Sequence, residues 1–305
     1  MKKIFLVVLN WNGAKDTIEC LDSIDHLRIK NFKLYVVVVD NGSLDNSTTL
    51  LSDIKLKNAS YKLIENKENL GYAGGMNTGI KYATSNGADF ITLLNNDIEL
   101  DKNLLIELVK TASKDPNTGI ICPKIYFAKG YEFHKDKYKK SELGNVIWYA
   151  GGKIVWDNAI GVNIGVDQVD EGQFDDSQET DFATGNCMFI NSKAIKDKKL
   201  FDENYFMYLE DVDFCVRMKK SGWKVVYSPK ALLWHKVARS SAIGGDLNDY
   251  FIMRNRMIFG MRYAPLRTKF ALVRQSINLL RSGREWQRTA VKDYYKRNLG
   301  KGSWK

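Results

Sequence analysis

Three acidic side chains fall within four positions of one apolar stretch, and they are suited to proton transfer. Glu210, Asp211 and Asp213 lie among the apolar residues of segment 206–214. A carboxylate in apolar surroundings has an altered proton affinity and can act as a general base. Neighbouring residues of a helix point about 100° apart, so one of Glu210 and Asp211 can enter a site while the other orients a neighbour. An acidic helix start, stabilised by the helix dipole, is the structural alternative.

A second group of polar residues is suited to binding a divalent cation. Asn95, Asn96 and Asp97 directly follow the apolar run Phe90–Leu94, and His235 ends another apolar run. Hard cations take oxygen ligands, often one or two carboxylates together with phosphates and water. We therefore predict that Asp97 and His235 bind a metal or a diphosphate. An ordinary strand-end turn and a structural histidine are the alternatives.

A third group could bind a nucleoside. Asp40 follows the β-branched run Val36–Val39 and can accept hydrogen bonds from a base or a ribose, and Gly42 permits a tight turn beneath a ligand. The segment Asn69–Asn77 is rich in glycine and precedes a helical pattern that begins at Thr78. Small residues before a helix let a ligand approach the backbone, although a plain loop would have the same composition.

The elements that must position these residues alternate between strands and helices. Short apolar runs at Ile4–Leu9, Leu34–Val39, Phe90–Leu94 and Gly119–Cys122 are typical of buried strands, and helical periodicity lies between them. Strand–helix–strand order predicts a parallel sheet covered by helices. Ligands of such sheets bind beyond the carboxyl ends of the strands, and polar, turn-forming residues directly follow the first three runs at Asn10–Gly13, Asp40–Asp45 and Asn95–Asp97.

The second half of the chain is less regular. Strand character returns at Cys187–Ile190 and Trp223–Tyr227, and a helix is predicted from about Asp211 to Ser221. The segment Gly165–Asp181 has seven acidic residues and no Lys or Arg. We interpret it as a solvated loop or as part of an acceptor mouth.

Charge is distributed unevenly along the 305 residues. The net charge is +10, and residues 248–305 contain 14 Lys or Arg against 3 Asp or Glu. Basic amphipathic helices in this tail suit an anionic membrane surface, and charges facing solvent from a packed helical region are the alternative. Nucleic acid is disfavoured because the acidic sites described above would repel a phosphate backbone.

The lengths of the apolar runs and the spacing of the cysteines limit where the protein can be located. We expect no signal peptide and no membrane span, because the first apolar run is short and no uncharged stretch approaches the length that a span needs. Cys20, Cys122, Cys187 and Cys215 are far apart, which favours buried free thiols in a reducing compartment. We therefore expect a cytoplasmic protein, peripheral on the inner face of the cell membrane.

Taken together, these segments resemble family 2 glycosyltransferases of the GT-A type, in the rhamnosyltransferase-like branch. The resemblance implies an α/β fold, the GT-A nucleotide-diphospho-sugar transferase fold with a Rossmann-like mixed sheet, and a helical basic C-terminal extension. It extends from Val7 to Lys236, and the matching segments occur in the family's order. They are Val7–Asn12, Val39–Ser43, Asn69–Asn77, Leu94–Asp97, Asp181–Gly185, Phe201–Arg217 and Trp234–Lys236.

The resemblance also implies roles for individual residues. The family's D-x-D metal motif falls on Asn95, Asn96 and Asp97, so its first acid is replaced by Asn and its metal ligand is kept. The family's E-D pair falls on Glu210 and Asp211, with Asp211 as the general base. The implied metal ligands are Asp97 and His235, and the implied acceptor residues are Asp181 and Gly185. The implied donor-binding residues are Asn10, Asn12, Asp40, Gly42, Asn69, Gly71, Gly74, Asn77, Asn95, Asn96 and Arg254.

The implied activity is an inverting transfer of a sugar from a nucleotide diphosphate to an acceptor hydroxyl, with Mg²⁺ or Mn²⁺ as cofactor. The resemblance suggests a dTDP- or UDP-sugar donor, L-rhamnose as one candidate sugar, and a glycan or polyprenyl-linked acceptor. It leaves open a homodimer. We predict a catalytic domain over residues 1–245, with a nucleotide-binding half at 1–125 and an acceptor-binding half at 126–245, and a basic helical region at 246–305.

Two other functions remain open on the sequence. A nucleotidylyltransferase would share the strand–helix start and the need for a metal, but a basic glycine-rich loop would be expected after the first strand. This chain has Asn10-Trp11-Asn12-Gly13 there. A non-catalytic sugar-nucleotide-binding scaffold would fit the altered metal motif, but it gives no reason for the presence of both Glu210-Asp211 and His235.

Overall fold

A computed structural model describes residues 1–195, 200–237 and 245–305. The first half alternates strands and helices as predicted, and each predicted strand is extended at one or both ends except β4. The elements are β1 (Lys2–Asn10), α1 (Ala14–Asp25), β2 (Phe32–Asp40), α2 (Ser47–Ser52), β3 (Ser60–Glu65), α3 (Gly71–Ser85), β4 (Phe90–Leu94), β5 (Ile98–Leu100), α4 (Leu104–Ala112) and β6 (Thr118–Phe127).

The second half adds short strands and the C-terminal helices. The expected helix after Glu210 is present and begins one residue earlier than predicted. The elements are β7 (Ile147–Tyr149), β8 (Gly152–Val155), β9 (Ile160–Asn163), β10 (Gln178–Glu179), β11 (Cys187–Asn191), α5 (Ser192–Ile195), α6 (Glu210–Lys220), β12 (Lys224–His235), α7 (Asp246–Tyr263), α8 (Leu266–Ser282) and α9 (Glu285–Lys296).

One mixed sheet carries the described core. Its order is β10-β12-β6-β11-β4-β1-β2-β3, with β5 pairing β12 and β7 pairing β6. Strands β3, β2, β1 and β4 are parallel, whereas β11 is antiparallel to both of its neighbours, β4 and β6. The central strands are buried along most of their length, as expected of strands covered on both faces.

Strand β12 is longer than the sequence indicates. We predicted a strand at Trp223–Tyr227, followed by a turn at Ser228-Pro229 and a separate apolar run. The structure has one strand in which Ser228 pairs with Pro123 and Leu232 pairs with Lys124. The three residues between Ser228 and Leu232 form an irregularity, so the strand continues past the proline to His235.

The glycines of segment 69–77 allow a helix to lie close to the sheet. We expected a loop here and a helix from Thr78, but α3 begins at Gly71 and contains Gly74, Gly75 and Gly79. A Cβ atom on Gly79 would lie 2.2 Å from Cγ1 of Val7, and one on Gly75 would lie 2.4 Å from Cδ1 of Leu9. The small residues are therefore explained by the close approach of α3 to β1.

The acidic segment Gly165–Asp181 is largely exposed to solvent, and Asp170 and Asp175 tie it to the sheet through Lys124. Lys124 on β6 is buried, and its ammonium group lies 2.7 Å from Oδ2 of Asp170 and 2.6 Å from Oδ1 of Asp175. The Tyr126 hydroxyl donates a second hydrogen bond to Asp170. A buried ammonium group needs such partners, so the acidic loop compensates a charge inside the sheet.

The C-terminal helices pack against the rest of the chain. Most of α7 is buried, including Tyr250, Phe251, Arg254 and Asn255, and α9 packs on α7. No helix in the described ranges is long and apolar enough to cross a membrane. The four cysteines are buried and free, as the sequence indicated.

The close approach of α3 to β1 makes a prediction about stability. Gly79→Ala gains helix propensity, but its new methyl group overlaps Val7, so we expect a net loss of about 1–3 kcal/mol in the free energy of unfolding. In a Val7→Ala background that overlap is removed, and the same substitution should become neutral or stabilising. Urea denaturation of the four proteins measures the coupling. Equal effects of Gly79→Ala in both backgrounds would contradict the packing argument.

Candidate functional site

Six of the residues singled out in the sequence meet in one cavity of about 480 Å³. It lies beyond the carboxyl ends of β4 and β12 and is walled by the start of α6 and by β9. The six are Asn95, Asp97, Gly185, Glu210, Asp211 and His235. A concave site with several convergent polar groups is the usual form of a small-molecule site.

The antiparallel strand β11 explains how distant residues meet. Cys187 pairs with Leu94, so the residues before β11 lie beside the residues after β4. The backbone N–H of Asn95 donates to the carbonyl of Asn186, at 3.1 Å. On the other side, β5 pairs with β12 so that Ile98 lies opposite His235. Asp97 is thereby held between the two segments.

Asp97 and His235 form a pair at one wall of the cavity. Nε2 of His235 lies 3.1 Å from Oδ2 of Asp97, whereas the buried Oδ1 of Asp97 has no hydrogen-bond partner. Nδ2 of Asn186 lies 2.8 Å from Nδ1 of the histidine, and the ring of Trp148 contacts the imidazole edge-on at 4.7 Å. The imidazole is therefore held in position, and one carboxylate oxygen remains available to a ligand.

The acid pair lines the same cavity from the start of α6. Asp211 accepts hydrogen bonds from the backbone N–H groups of Gly185 at 2.9 Å and Val212 at 2.8 Å. Glu210 is buried, and its Oε2 has no hydrogen-bond partner. Burial raises the pKa of Glu210 well above its usual range, and the charge of Asp211 raises it further. Burial also raises the pKa of Asp211, while the two backbone donors oppose that shift.

The backbone that leads to the acid pair is in an unusual conformation. Phe206, Tyr208 and Leu209 have φ values of 64°, 66° and 70°, in the left-handed half of conformational space. Side chains other than glycine rarely adopt such angles, and neighbouring strained residues persist only where surrounding contacts hold them. Segment 205–209 therefore needs support from elsewhere in the chain.

That support comes from two adjacent residues of α7. The side-chain amide of Asn255 donates to the carbonyls of Tyr205, Met207 and Tyr208 at 2.7–2.9 Å. The guanidinium of Arg254 donates to the carbonyl of Tyr205 at 3.0 Å and stacks on the rings of neighbouring aromatic residues. The structure therefore places Arg254 against the strained turn and outside the described lining of the cavity. The resemblance had assigned this residue to donor binding.

The residues expected to hold the nucleoside form a network at the edge of β1–β3, outside the described lining of the cavity. The buried carboxylate of Asp40 accepts hydrogen bonds from Asn10 Nδ2 at 2.7 Å, Ser43 N at 2.9 Å and Ser43 Oγ at 2.7 Å. The carboxamide of Asn12 accepts from the backbone N–H of Leu44 at 2.8 Å. These contacts join the loops after β1 and β2.

Several other predicted residues have structural contacts. Asn77 bonds to the backbone of Phe201 and to Glu203, and Asn96 donates to Thr17 at the start of α1. Asp181 accepts from the backbone N–H of Ile154 and pairs with Lys219, away from the cavity. Asn69, Gly71 and Gly74 also lie outside the described cavity lining, as does Gly42, whose lack of a side chain lets the backbone of Glu68 approach it.

The sequence analysis assigned no role to Tyr72, Trp148 or Asn186, and it noted Asn255 only as part of a patch with Tyr250 and Arg254 that resembles the family. Tyr72 lines the cavity and donates from its hydroxyl to the carbonyl of Gly185 at 2.5 Å. Asn186 could have been found, because it directly follows Gly185 at the start of a predicted strand. Trp148 has no local sequence pattern that marks it.

Comparison with solved structures shows which fold this is. Mannosyltransferase PcManGT from Pyrobaculum calidifontis, in complex with GDP-Man and Mn²⁺, superposes with a TM-score of 0.56 at 16% sequence identity. The superposition covers 96% of this chain and 74% of that chain. At this identity the similarity concerns the fold alone, and it confirms the predicted GT-A fold.

Comparison of sequences identifies the family. The N-acetylglucosaminyl-diphospho-decaprenol L-rhamnosyltransferase of Mycobacterium tuberculosis is 25% identical over 214 residues, which are 68% of this chain and 67% of that enzyme. The low-salt glycan biosynthesis hexosyltransferase Agl10 of Haloferax volcanii is 28% identical over 185 residues, 60% of this chain and 53% of its own length. The model of the family "Glycosyl transferase family 2" matches residues 5–197. The chain is therefore a glycosyltransferase that belongs to family 2.

Proposed function

We propose that the protein is an inverting transferase that moves a sugar from a nucleotide diphosphate to a hydroxyl group of a glycan or lipid-linked glycan. One observation carries the proposal: an acid pair and the Asp97–His235 pair line a single cavity. Direct displacement needs a base for the attacking hydroxyl and a group that neutralises the departing diphosphate. The acid pair is suited to act as the base, and the Asp97–His235 pair is suited to hold the group that neutralises the diphosphate.

In this proposal Asp211 is the general base. Two backbone N–H groups fix its carboxylate, and these donors favour the charged form that can accept a proton. Oε2 of Glu210 has no hydrogen-bond partner, and burial together with the neighbouring Asp211 raises the pKa of Glu210 well above its usual range, which favours its neutral form. The two neighbouring carboxyls therefore differ in how well their charged forms are stabilised, and Asp211 is the better suited to accept a proton from the acceptor.

The Asp97–His235 pair suits a divalent cation. The unpartnered Oδ1 of Asp97 would supply an oxygen ligand, and Nε2 of His235 would supply a nitrogen ligand if a cation replaced its contact with Oδ2 of Asp97. No group of three His, Cys, Asp or Glu is arranged to hold a metal in the described ranges. Two protein ligands are nevertheless enough where substrate phosphates and water complete the shell, as is usual for Mg²⁺. When bound, Mg²⁺ or Mn²⁺ would offset the negative charge that builds on the leaving diphosphate.

The relatives narrow the substrate class that we propose. One is named for L-rhamnosyl transfer to a diphospho-decaprenol acceptor, and one neighbouring structure contains GDP-Man and Mn²⁺. We propose a dTDP- or UDP-sugar donor, with L-rhamnose as the first candidate, and a polyprenyl-linked acceptor. Transfer of the sugar would take place at the inner face of the cell membrane, as a step in the biosynthesis of a cell-surface polysaccharide.

Donor turnover tests the class of reaction. Purified protein is incubated with Mn²⁺ or Mg²⁺ and a panel of nucleotide sugars, with and without a polyprenyl-linked glycan, and nucleoside diphosphate is followed by mass spectrometry. We expect turnover of one donor, lost with EDTA and reduced at least about 100-fold in Asp97→Asn, because the leaving group loses its counter-charge. Asp136→Asn, at an exposed position, is the matched control. Failure of every donor to bind by calorimetry would favour a non-catalytic scaffold.

Isosteric substitution of the acid pair tests which carboxyl is the base. Asp211→Asn removes the proton acceptor and should lower kcat about 10²–10⁴-fold. Glu210→Gln replaces a neutral carboxyl by a neutral amide and should retain activity within about tenfold, the range of a lost hydrogen bond. Because burial raises the pKa of Asp211, the acid limb of kcat/KM should lie above the usual range of an aspartate. An inactive Glu210→Gln beside an active Asp211→Asn would reverse the assignment.

Asn255 tests whether the strained turn must be held for catalysis. Asn255→Asp keeps the shape but turns an oxygen towards three carbonyls, so Asp211 should be displaced and kcat should fall about 100-fold. Donor affinity by calorimetry should change little, because Asn255 lies outside the described lining of the cavity. Asn278→Asp, on the exposed side of α8, is the control. Equal losses in donor affinity and kcat would indicate general unfolding and contradict a positioning role.

A further inference from the structure

Helix α8 is packed against the protein on one side and carries an exposed apolar stripe on another. Thr268, Leu272 and Ser276 are buried on the inner side. On the opposite side Leu266 and Phe270 are 71% and 73% exposed, and Ile277 and Leu280 are 44% and 37% exposed. Together with the half-buried Val273 they recur at intervals of four and three residues and form one continuous stripe. A stripe of this length is more than scattered surface hydrophobicity.

Basic residues border this stripe on both sides. Arg267, Arg274 and Arg281 are seven residues apart and form an exposed row along one edge, and Lys269 lies on the other edge. Helix α8 contains no Asp or Glu. Arg267 and Arg274 also line a cavity of about 450 Å³, together with Phe270, Thr268, Ala271 and Asp157. Paired guanidinium groups beside an aromatic ring are suited to a phosphate that is attached to an apolar chain.

We propose that this outer face of α8, comprising the stripe and its basic border, binds the surface of an anionic phospholipid bilayer. An amphipathic helix lying in the interface buries its apolar side chains at the level of the acyl chains, while its arginines contact phosphate groups. The proposal goes beyond glycosyl transfer, because it assigns a binding surface outside the candidate active site.

A second copy of this chain is the other occupant that such a stripe could take. The spacing of four and three residues is that of a coiled-coil seam, in which the flanking positions of the two helices face each other. Those flanking positions are occupied here by Arg267, Lys269, Arg274 and Arg281, with Ser276 as the uncharged exception. Two such helices would bring positive charges together, which favours an anionic partner over self-association.

The outer face of α8 is linked to the candidate active site by the β8–β9 hairpin. Asp157 at the turn of this hairpin borders the cavity next to α8, while Ile160 and Asn163 of β9 line the candidate active site. Trp156 stacks on Phe259 of α7 at 5.8 Å between ring centres. A bilayer on α8 would therefore bring a lipid-linked acceptor to the same hairpin that borders the catalytic cavity. This last step alone rests on the proposed function.

Vesicle flotation with the full-length protein tests the surface. Vesicles of phosphatidylcholine alone are compared with vesicles of phosphatidylcholine and phosphatidylglycerol, and we expect binding only to the anionic mixture. Each arginine near an anionic surface contributes about fivefold, so Arg267→Gln/Arg274→Gln/Arg281→Gln should weaken binding about 100-fold. Leu266→Ser/Phe270→Ser should weaken it more than about tenfold through lost apolar burial.

The control variant removes the same charge from a different helix. Arg288→Gln/Lys292→Gln/Lys296→Gln, at exposed positions of α9, should leave binding within about twofold, because these residues lie off the stripe. Equal losses in the α8 and α9 variants, or equal binding to neutral vesicles, would overturn the proposal. So would a dimer in sedimentation velocity that Phe270→Ser converts to monomer. Donor turnover without vesicles should be unchanged in all variants, which separates this test from that of the proposed function.

Discussion

The antiparallel placement of β11 is the constraint on which the candidate site depends. A purely parallel sheet would send the segment before β11 to the opposite edge from the segment after β4. Because β11 runs against β4 and β6, Asn186 lies beside Asn95 and Gly185 reaches the start of α6. The same arrangement lets β12 run parallel to β6 and end at His235. Residues separated by more than a hundred positions thereby converge within one cavity.

A second constraint acts from the C-terminal region on the acid pair. The turn before α6 stores conformational strain, and several of its carbonyl groups accept hydrogen bonds from side chains of α7. Asn255 satisfies three of them with one amide group. The C-terminal helices therefore have two sides with different tasks. The inner side of α7 supports the turn that carries the acids, while the outer side of α8 faces solvent with an apolar and basic surface.

Much of the fold follows from local patterns, whereas the support of the site does not. The β-branched runs predicted β1, β2 and β4, because a buried strand needs apolar side chains on both faces. Glycines before a helical pattern suggested a ligand-binding loop, but these glycines lie within α3. They are needed there because Val7 and Leu9 of β1 leave no room for Cβ atoms on the facing side of the helix. Arg254 was assigned to donor binding by the family resemblance, yet it donates hydrogen bonds to carbonyls of a turn some fifty positions earlier. Such long-range contacts have no periodicity in the sequence.

The departure of Asn95 from the acidic metal motif also has a physical reading. Nδ2 of Asn95 donates to Oδ1 of Asn186 at 3.2 Å, and Nδ2 of Asn186 lies 2.8 Å from Nδ1 of His235. A carboxylate at position 95 would bring two acceptor oxygens together at the first of these contacts and would break the chain of amides that holds the imidazole. With Asn95 in place of an acid, the site has one anionic oxygen fewer, but the imidazole of His235 is held in position. A cation at this site would meet fewer negative ligands than an intact motif provides, so its affinity would depend more strongly on the diphosphate of the donor.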